Sequence, residues 1–208
     1  MKKIVDTNAI KVYSSEIIHQ WGEKTFFDQL NSLPDFIQKR ITAYDGWLDR
    51  QLRVEAKLQL QQLLKDFNCS NIISLEQLKF TDNNRPYFET EFDFSTSHTG
   101  NMVFCAGSVK KQIGLDAEII KEINLEDYSE YFTPNELARI ENNFNALLKF
   151  YQLWTRKEAL VKASGLGVMI PFRNLDVSGE SIKINNQKYI FIDSSSPEGY
   201  AVSIVYKE

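Results

Sequence analysis

Two long stretches of helical periodicity, each followed by short runs in which apolar and polar residues alternate, leave this chain few folds to choose from. The first runs from Pro34 to Phe67, where LRVEAKLQLQQLLKDF carries apolar residues at close to helical spacing. The second runs from about Asn145 to Ala163 and stops at Gly165 and Gly167. Residues 71–118 read as a strand meander between turn formers, and residues 172–206 alternate as antiparallel strands do. Helix followed by strands, twice over, is an α+β order. Residues 34–113 and 123–206 repeat it without sequence identity, which predicts two similar α+β lobes, residues 1–113 and 114–208, with a cleft between them.

Local signals sharpen the ends of these elements. Ile10 to Tyr13 reads as a short strand. In FTPNELARI, Thr133 is a helix cap, Pro134 opens the first turn and Glu136 completes a capping box.

Composition excludes several function classes. An apolar content of 43% supports a packed core. A net charge of −4 gives no overall electrostatic reason to bind nucleic acid, so an anionic ligand must be met by local cations. No stretch is apolar enough for a secretory signal or a membrane span. Two cysteines, Cys69 and Cys105, and two histidines, His19 and His98, are too few for a Cys/His zinc cluster. A reducing cytoplasm fits best.

The residues with chemistry to offer lie in four short segments. In GLDAE, Asp116 and Glu118 are two apart, so a strand turns both carboxylates to one face. They could supply two oxygen ligands to a magnesium ion, which shares its shell with waters and substrate phosphates. In WTRKEALVK, Glu158 and Lys162 lie one helical turn apart, with Trp154 a turn earlier. A third carboxylate beside a lysine would complete a phosphoryl-transfer site. In FSTSHT, a turn after the strand FDF would expose His98 beside Ser97 and Thr99, where hydroxyls and amides suit phosphate oxygens. Arg50, Lys57 and Arg85 are further cations.

Each of these features has a plainer reading. The acidic pair could line a solvated strand face, His98 could be a surface histidine, and the cations could be ordinary helix and loop solvation. Lys157 is equally readable as approaching the ligand or as a solvated residue. No Gly-x-x-x-x-Gly-Lys-Ser/Thr loop, helix-opening Gly-x-Gly-x-x-Gly or serine-hydrolase elbow is present.

Taken in order, RPYF, FSTSHT, GLDAE and WTRKEALVK, followed by GLGVMIP, resemble the Sfp-type 4′-phosphopantetheinyl transferases. The likeness runs from about Gln51 to Val177. It implies a pseudo-twofold α+β fold with its active site in the cleft between the lobes. The implied enzyme moves the phosphopantetheine arm of coenzyme A to a serine of an apo acyl or peptidyl carrier protein and releases adenosine 3′,5′-bisphosphate.

Carried over by position, Asp116, Glu118 and Glu158 would be the magnesium ligands, and Asp116, Glu158 and Lys162 the catalytic set. Glu158 is also the candidate base for the serine proton, directly or through water. Arg50, Lys57, Arg85, Ser97, His98 and Lys162 would contact coenzyme A, which is a substrate. Two departures stand out. Ser95 replaces the family's asparagine, and Asn84–Arg85–Pro86 replaces Gly-Lys-Pro, keeping the charge but losing a permissive glycine.

Carrier proteins are usually acidic, so a local positive rim is expected from Lys149, Arg156 and Arg173, with Met169, Ile170 and Phe172 as apolar contacts. The expected protein is a cytoplasmic monomer with no nucleic-acid or membrane partner. Two other readings differ in class: a non-catalytic module that binds coenzyme A or a carrier protein, and an acidic cluster serving only structural pairing.

Overall fold

The computed structural model describes residues 1–165, 171–192 and 196–208. The chain divides into two compact units, Met1–Lys110 and Lys111–Glu208, and both mix helix with antiparallel sheet.

The first unit opens with β1 (Lys2–Asp6) and β2 (Ile10–Glu16), then three helices, α1 (Glu23–Asn31), α2 (Asp35–Thr42) and α3 (Trp47–Asp66). A short hairpin follows, β3 (Lys79–Phe80) and β4 (Pro86–Tyr87), and then β5 (Phe92–Thr99) and β6 (Met102–Val109). The main sheet has the order β1-β2-β6-β5, every neighbour antiparallel. Helix α3 packs across β6 and β2, burying Val54, Leu60, Leu63 and Leu64 against Phe92, Phe94 and Cys105. Inside this apolar contact, Gln59 Nε2 donates to the Val103 carbonyl at 3.3 Å, joining helix to strand.

The second unit contains β7 (Ile113–Ile119), a 3₁₀ segment at Leu125–Tyr131, α4 (Pro134–Glu141) and α5 (Ala146–Ser164). It ends with β8 (Ser181–Ile184), β9 (Gln187–Ile192) and β10 (Tyr200–Lys207). Its sheet runs β7-β10-β9-β8, again antiparallel. Helix α5 lies on β7 and β10. Asn145 caps its start by accepting from the Leu148 amide at 3.0 Å, and Gly165 ends it at φ +67°, a left-handed conformation that glycine adopts without steric cost. The capping box of α4 forms as its sequence predicts. The Glu136 amide donates to Thr133 Oγ1 at 3.2 Å, and the Thr133 amide donates to Glu136 Oε2 at 2.9 Å.

Several expectations need correction. Residues 34–67 are predominantly helical as read, divided into two helices between Thr42 and Trp47. Strand β1 and helix α1 have no counterpart in the sequence reading; α1 starts after Gly22, which offers no side-chain cap. FDFSTSHT is one continuous strand, so His98 sits on β5 opposite Val103 and not in a turn. The turn comes at Gly100, where φ is +57°. Among the described residues no helix is long and apolar enough to cross a membrane.

Candidate active site

Strand β7 presents Gly114, Asp116 and Glu118 on one face, as its two-residue period requires, and α5 packs against that face. The close approach depends on Gly114. A Cβ at that position would lie 1.9 Å from the Ala159 carbonyl oxygen and 2.7 Å from the Ala163 nitrogen. With that clearance the acidic end of the strand and the charged stripe of the helix come within reach of each other.

Lys162 Nζ donates to Asp116 Oδ1 at 2.7 Å and to the Leu115 carbonyl at 3.1 Å. Asp116 is 5% exposed, so this is a largely buried pair on its acidic side. Glu158 lies half-buried one turn before Lys162. Burial raises its pKa first, the neighbouring Asp116 raises it further, Lys162 opposes both, and Glu118 adds to the rise. Three carboxylates and one ammonium therefore interact within a single unit. As a donor set, oxygen ligands from Asp116, Glu118 and Glu158 suit a hard divalent cation. In the ligand-free arrangement, among the described residues, no three acidic, histidine or cysteine side chains are grouped closely enough to hold one. Lys162 is instead the cation against Asp116.

The other side chains of α5 fix the helix in place. Trp154 stands in a cage of rings, with centroids 5.7 Å from Tyr128, 5.6 Å from Tyr131, 6.0 Å from Phe150 and 5.5 Å from Phe172. Thr155 Oγ1 and Ser203 Oγ share a buried hydrogen bond of 2.7 Å. Lys157 is neither solvated nor ligand-facing. It is fully buried, 2.7 Å from Glu136 Oε2, and its Nζ also donates to the carbonyls of Phe172, at 2.9 Å, and Leu175. Burial lowers its pKa, and the Glu136 carboxylate pulls it back up.

The cations of the first unit have their own settings. Arg85 Nη2 reaches both oxygens of Asp93, at 2.9 and 2.7 Å. Asn84, before it, holds φ at +58°, so it supplies the left-handed conformation for which glycine is the usual residue. Arg50 Nε donates to the Tyr44 carbonyl. His98 Nε2 is 4.0 Å from Asp49 Oδ1, and Ser97 lies beside it on β5. Lys57 is half-buried, with no hydrogen bond or ion pair among the described residues. Burial pushes its pKa down; Cys105 opposes this, while Arg53 and Arg40 reinforce it.

The expected positive rim is uneven. Arg173 is exposed, but Arg156 donates to the Val177 carbonyl at 2.9 Å and the Gly179 carbonyl at 3.0 Å and stacks on Phe191. Lys149 and Arg156 line a cavity of about 150 Å³ between α5 and strands β9 and β10. Phe172 packs against Trp154 and the core, so it is not an exposed contact. Met169 and Ile170 lie outside the described residues. Sequence reasoning missed Gly114, Glu136 as a partner of Lys157, Ser203 and Asp93. Only Gly114 and Glu136 carried a signal, a glycine opening the acidic strand and a glutamate in a capping box.

Residues 112–205 match the family model of the 4′-phosphopantetheinyl transferase superfamily. A putative 4′-phosphopantetheinyl transferase of Haemophilus influenzae is 33% identical over 125 residues, 57% of this chain and 53% of that protein. The 4′-phosphopantetheinyl transferase Sfp of Bacillus subtilis is 30% identical over 122 residues, 55% of this chain and 52% of that protein. The chain thus spans about half the length of these curated relatives. The solved holo-[acyl-carrier-protein] synthase of Thermotoga maritima aligns with 47% of this chain and 62% of its own at 15% identity and a TM-score of 0.36. The resemblance to the Sfp-type enzymes carried by the motifs is thus matched by named relatives, and residues 112–205 are the segment that is similar to the 4′-phosphopantetheinyl transferase superfamily.

Proposed function

We propose that the protein transfers the 4′-phosphopantetheine arm of coenzyme A to a serine of an apo acyl or peptidyl carrier protein. One observation carries the reading. Helix α5 holds Glu158 half-buried one turn before Lys162, whose ammonium lies 2.7 Å from Asp116 on the acidic strand, so a carboxylate, a lysine and the strand's acidic pair are gathered at one place. The serine oxygen forms a bond to the β-phosphorus of coenzyme A while the bond from that phosphorus to the bridging oxygen breaks. Adenosine 3′,5′-bisphosphate leaves, and the serine proton passes to Glu158, directly or through water.

The remaining residues have positioning and electrostatic work. Lys162 neutralises charge on the phosphate oxygens once a ligand draws it from Asp116. Asp116, Glu118 and Glu158 would hold magnesium. A bound divalent cation supplies charge neutralisation at the pyrophosphate and holds its oxygens for in-line displacement. Arg50, Lys57, Arg85, Ser97 and His98 are assigned to coenzyme A. Lys57 makes no hydrogen bond or ion pair among the described residues, whereas Arg85 must share itself with Asp93. The proposal requires two similar lobes, residues 1–113 with these contacts and 114–208 with the acidic cluster, to face one another across a cleft. A monomer in the cytoplasm, with Arg173 as the exposed cation toward an acidic carrier, completes it.

Intact mass spectrometry tests the reading. An apo carrier protein incubated with this protein, coenzyme A and magnesium should gain one phosphopantetheine mass, and the Glu158→Gln variant should give none. No gain with several unrelated carriers, from a folded sample that binds coenzyme A, would leave a binding module instead.

A further inference from the structure

The one charged pair in the second unit whose side chains are both 0% exposed, among the described residues, is Lys157 with Glu136. Every polar position in it is used. The ammonium has three protons and meets three acceptors, Glu136 Oε2 and the carbonyls of Phe172 and Leu175. The carboxylate accepts from Lys157, from the Thr133 amide at 2.9 Å and, through Oε1, from the Val177 amide at 2.9 Å. The pair therefore ties α5 at once to the first turn of α4 and to residues 172–177.

Such a pair is a poor source of stability. Desolvating two charges costs several kcal/mol each, and apolar replacements of similar volume often stabilise as well or better. What it supplies is direction, because three fixed donors and three fixed acceptors allow one rotation of the helix. Lys157 immediately precedes Glu158. The contact of Lys162 with Asp116 cannot serve as the fixed pin for Glu158, because both residues are assigned to ligands and must rearrange when these bind. Thr155 with Ser203, and Lys157 with Glu136, are among the side-chain attachments of α5 that stay out of the ligand's way, and the second is the one next to Glu158.

We propose that Lys157 and Glu136 are positioning residues that set the rotation of α5, and with it the placement of the Glu158 carboxylate for the transfer step. The inference rests on the transferase reading and adds that these two residues act on turnover and not on coenzyme A affinity. Reacting groups displaced by about 1 Å lose on the order of a hundredfold in rate, so even a slight rotation is visible in kcat.

The first variant is Glu136→Gln, which keeps the shape and the capping box but turns an amide NH₂ toward one of the backbone donors. The second is the double variant Lys157→Met with Glu136→Leu, which removes both charges together and so leaves neither buried alone. Both are compared with the unaltered protein for kcat, KM, coenzyme A affinity by calorimetry, and hydrogen exchange along α5. The expected result is an unchanged dissociation constant, a kcat lower by about threefold or more in the first variant and about tenfold or more in the second, and faster exchange across residues 155–162. A folded variant with unaltered kcat overturns the proposal. So does a loss confined to coenzyme A affinity, or a kcat that falls only in proportion to the folded fraction. Absence of transfer by the unaltered protein would instead remove the transferase reading, before any variant is compared.

Discussion

Lys162 Nζ lies 2.7 Å from Asp116 Oδ1, so the lysine ammonium already stands where a divalent cation would have to compete for that carboxylate. Magnesium alone is therefore expected to stabilise the protein little. Magnesium with coenzyme A, whose phosphates draw Lys162 away, should shift the melting temperature by several degrees through mass action, on the order of 1–3 kcal/mol at saturating ligand. In Lys162→Ala, magnesium alone should gain in effect while transfer is lost. Thermal melts with each ligand separately and together check this, and equal shifts from magnesium with and without coenzyme A in the unaltered protein would refute it.

Glu158 is ionised at a cost, because burial and the neighbouring carboxylates disfavour its charge. Glu158→Gln should raise the stability of the ligand-free protein at pH 7, with solvent screening keeping the gain below about 1 kcal/mol. It should at the same time lower transfer by about a hundredfold or more. Calorimetric scans without metal, beside a transfer assay, measure both; a variant less stable than the unaltered protein contradicts the electrostatic account.

At Gly114 any side chain meets the Ala159 carbonyl oxygen at 1.9 Å, an atom of helix backbone that cannot swing aside. Gly114→Ala should destabilise the protein by about 1–3 kcal/mol as α5 is pushed from β7. Denaturant unfolding gives the magnitude. A neutral substitution would mean that the helix sits farther from the strand than the structure has it.

Asp66 accepts from Tyr13 Oη at 2.6 Å and pairs with Lys3 at 2.8 Å. Partial burial raises its pKa, but the bonds from Lys3, Tyr13 and Gln62 outweigh that and hold it down at about 2. A depressed carboxylate stabilises the fold fully above its unfolded pKa of about 3.9, and loses that contribution as pH falls toward 2. Solvent access screens the cluster, so the effect is on the order of 1 kcal/mol. Asp66→Asn should lower stability at pH 7 and converge with the unaltered protein as pH falls through about 2, as urea melts across that range would register.

The second unit was the more legible half. Asn145, Gly165 and the Thr133–Glu136 box mark helix ends through short-range chemistry that a sequence displays directly. The two-residue spacing of Asp116 and Glu118, and the four-residue spacing of Glu158 and Lys162, place side chains on faces by period alone. What the spacing could not supply was pairing across space. Lys157 reads as solvated or ligand-facing because nothing near it in sequence announces a buried carboxylate 21 positions earlier. Arg85 looked free because Asp93 reaches it only once the β3–β4 hairpin has folded. His98 reads as a turn residue when polar residues are taken as punctuation, whereas all eight residues of β5 pair with β6, polar and apolar alike, three of them buried and five half-buried. Strand β1 is short and starts with two lysines, so its pairing with β2 outweighs weak local preference.

The bare backbone at Gly114 has a consequence for anyone who would transplant this chemistry. Strand GLDAE and helix WTRKEALVKA touch through a glycine on one side and the backbone of Ala159 and Ala163 on the other, with no adjustable side chain between them. They are a single machined part. Grafting either segment into another scaffold would carry the charges across but not the spacing, whereas the pair moved as a unit brings its own gauge.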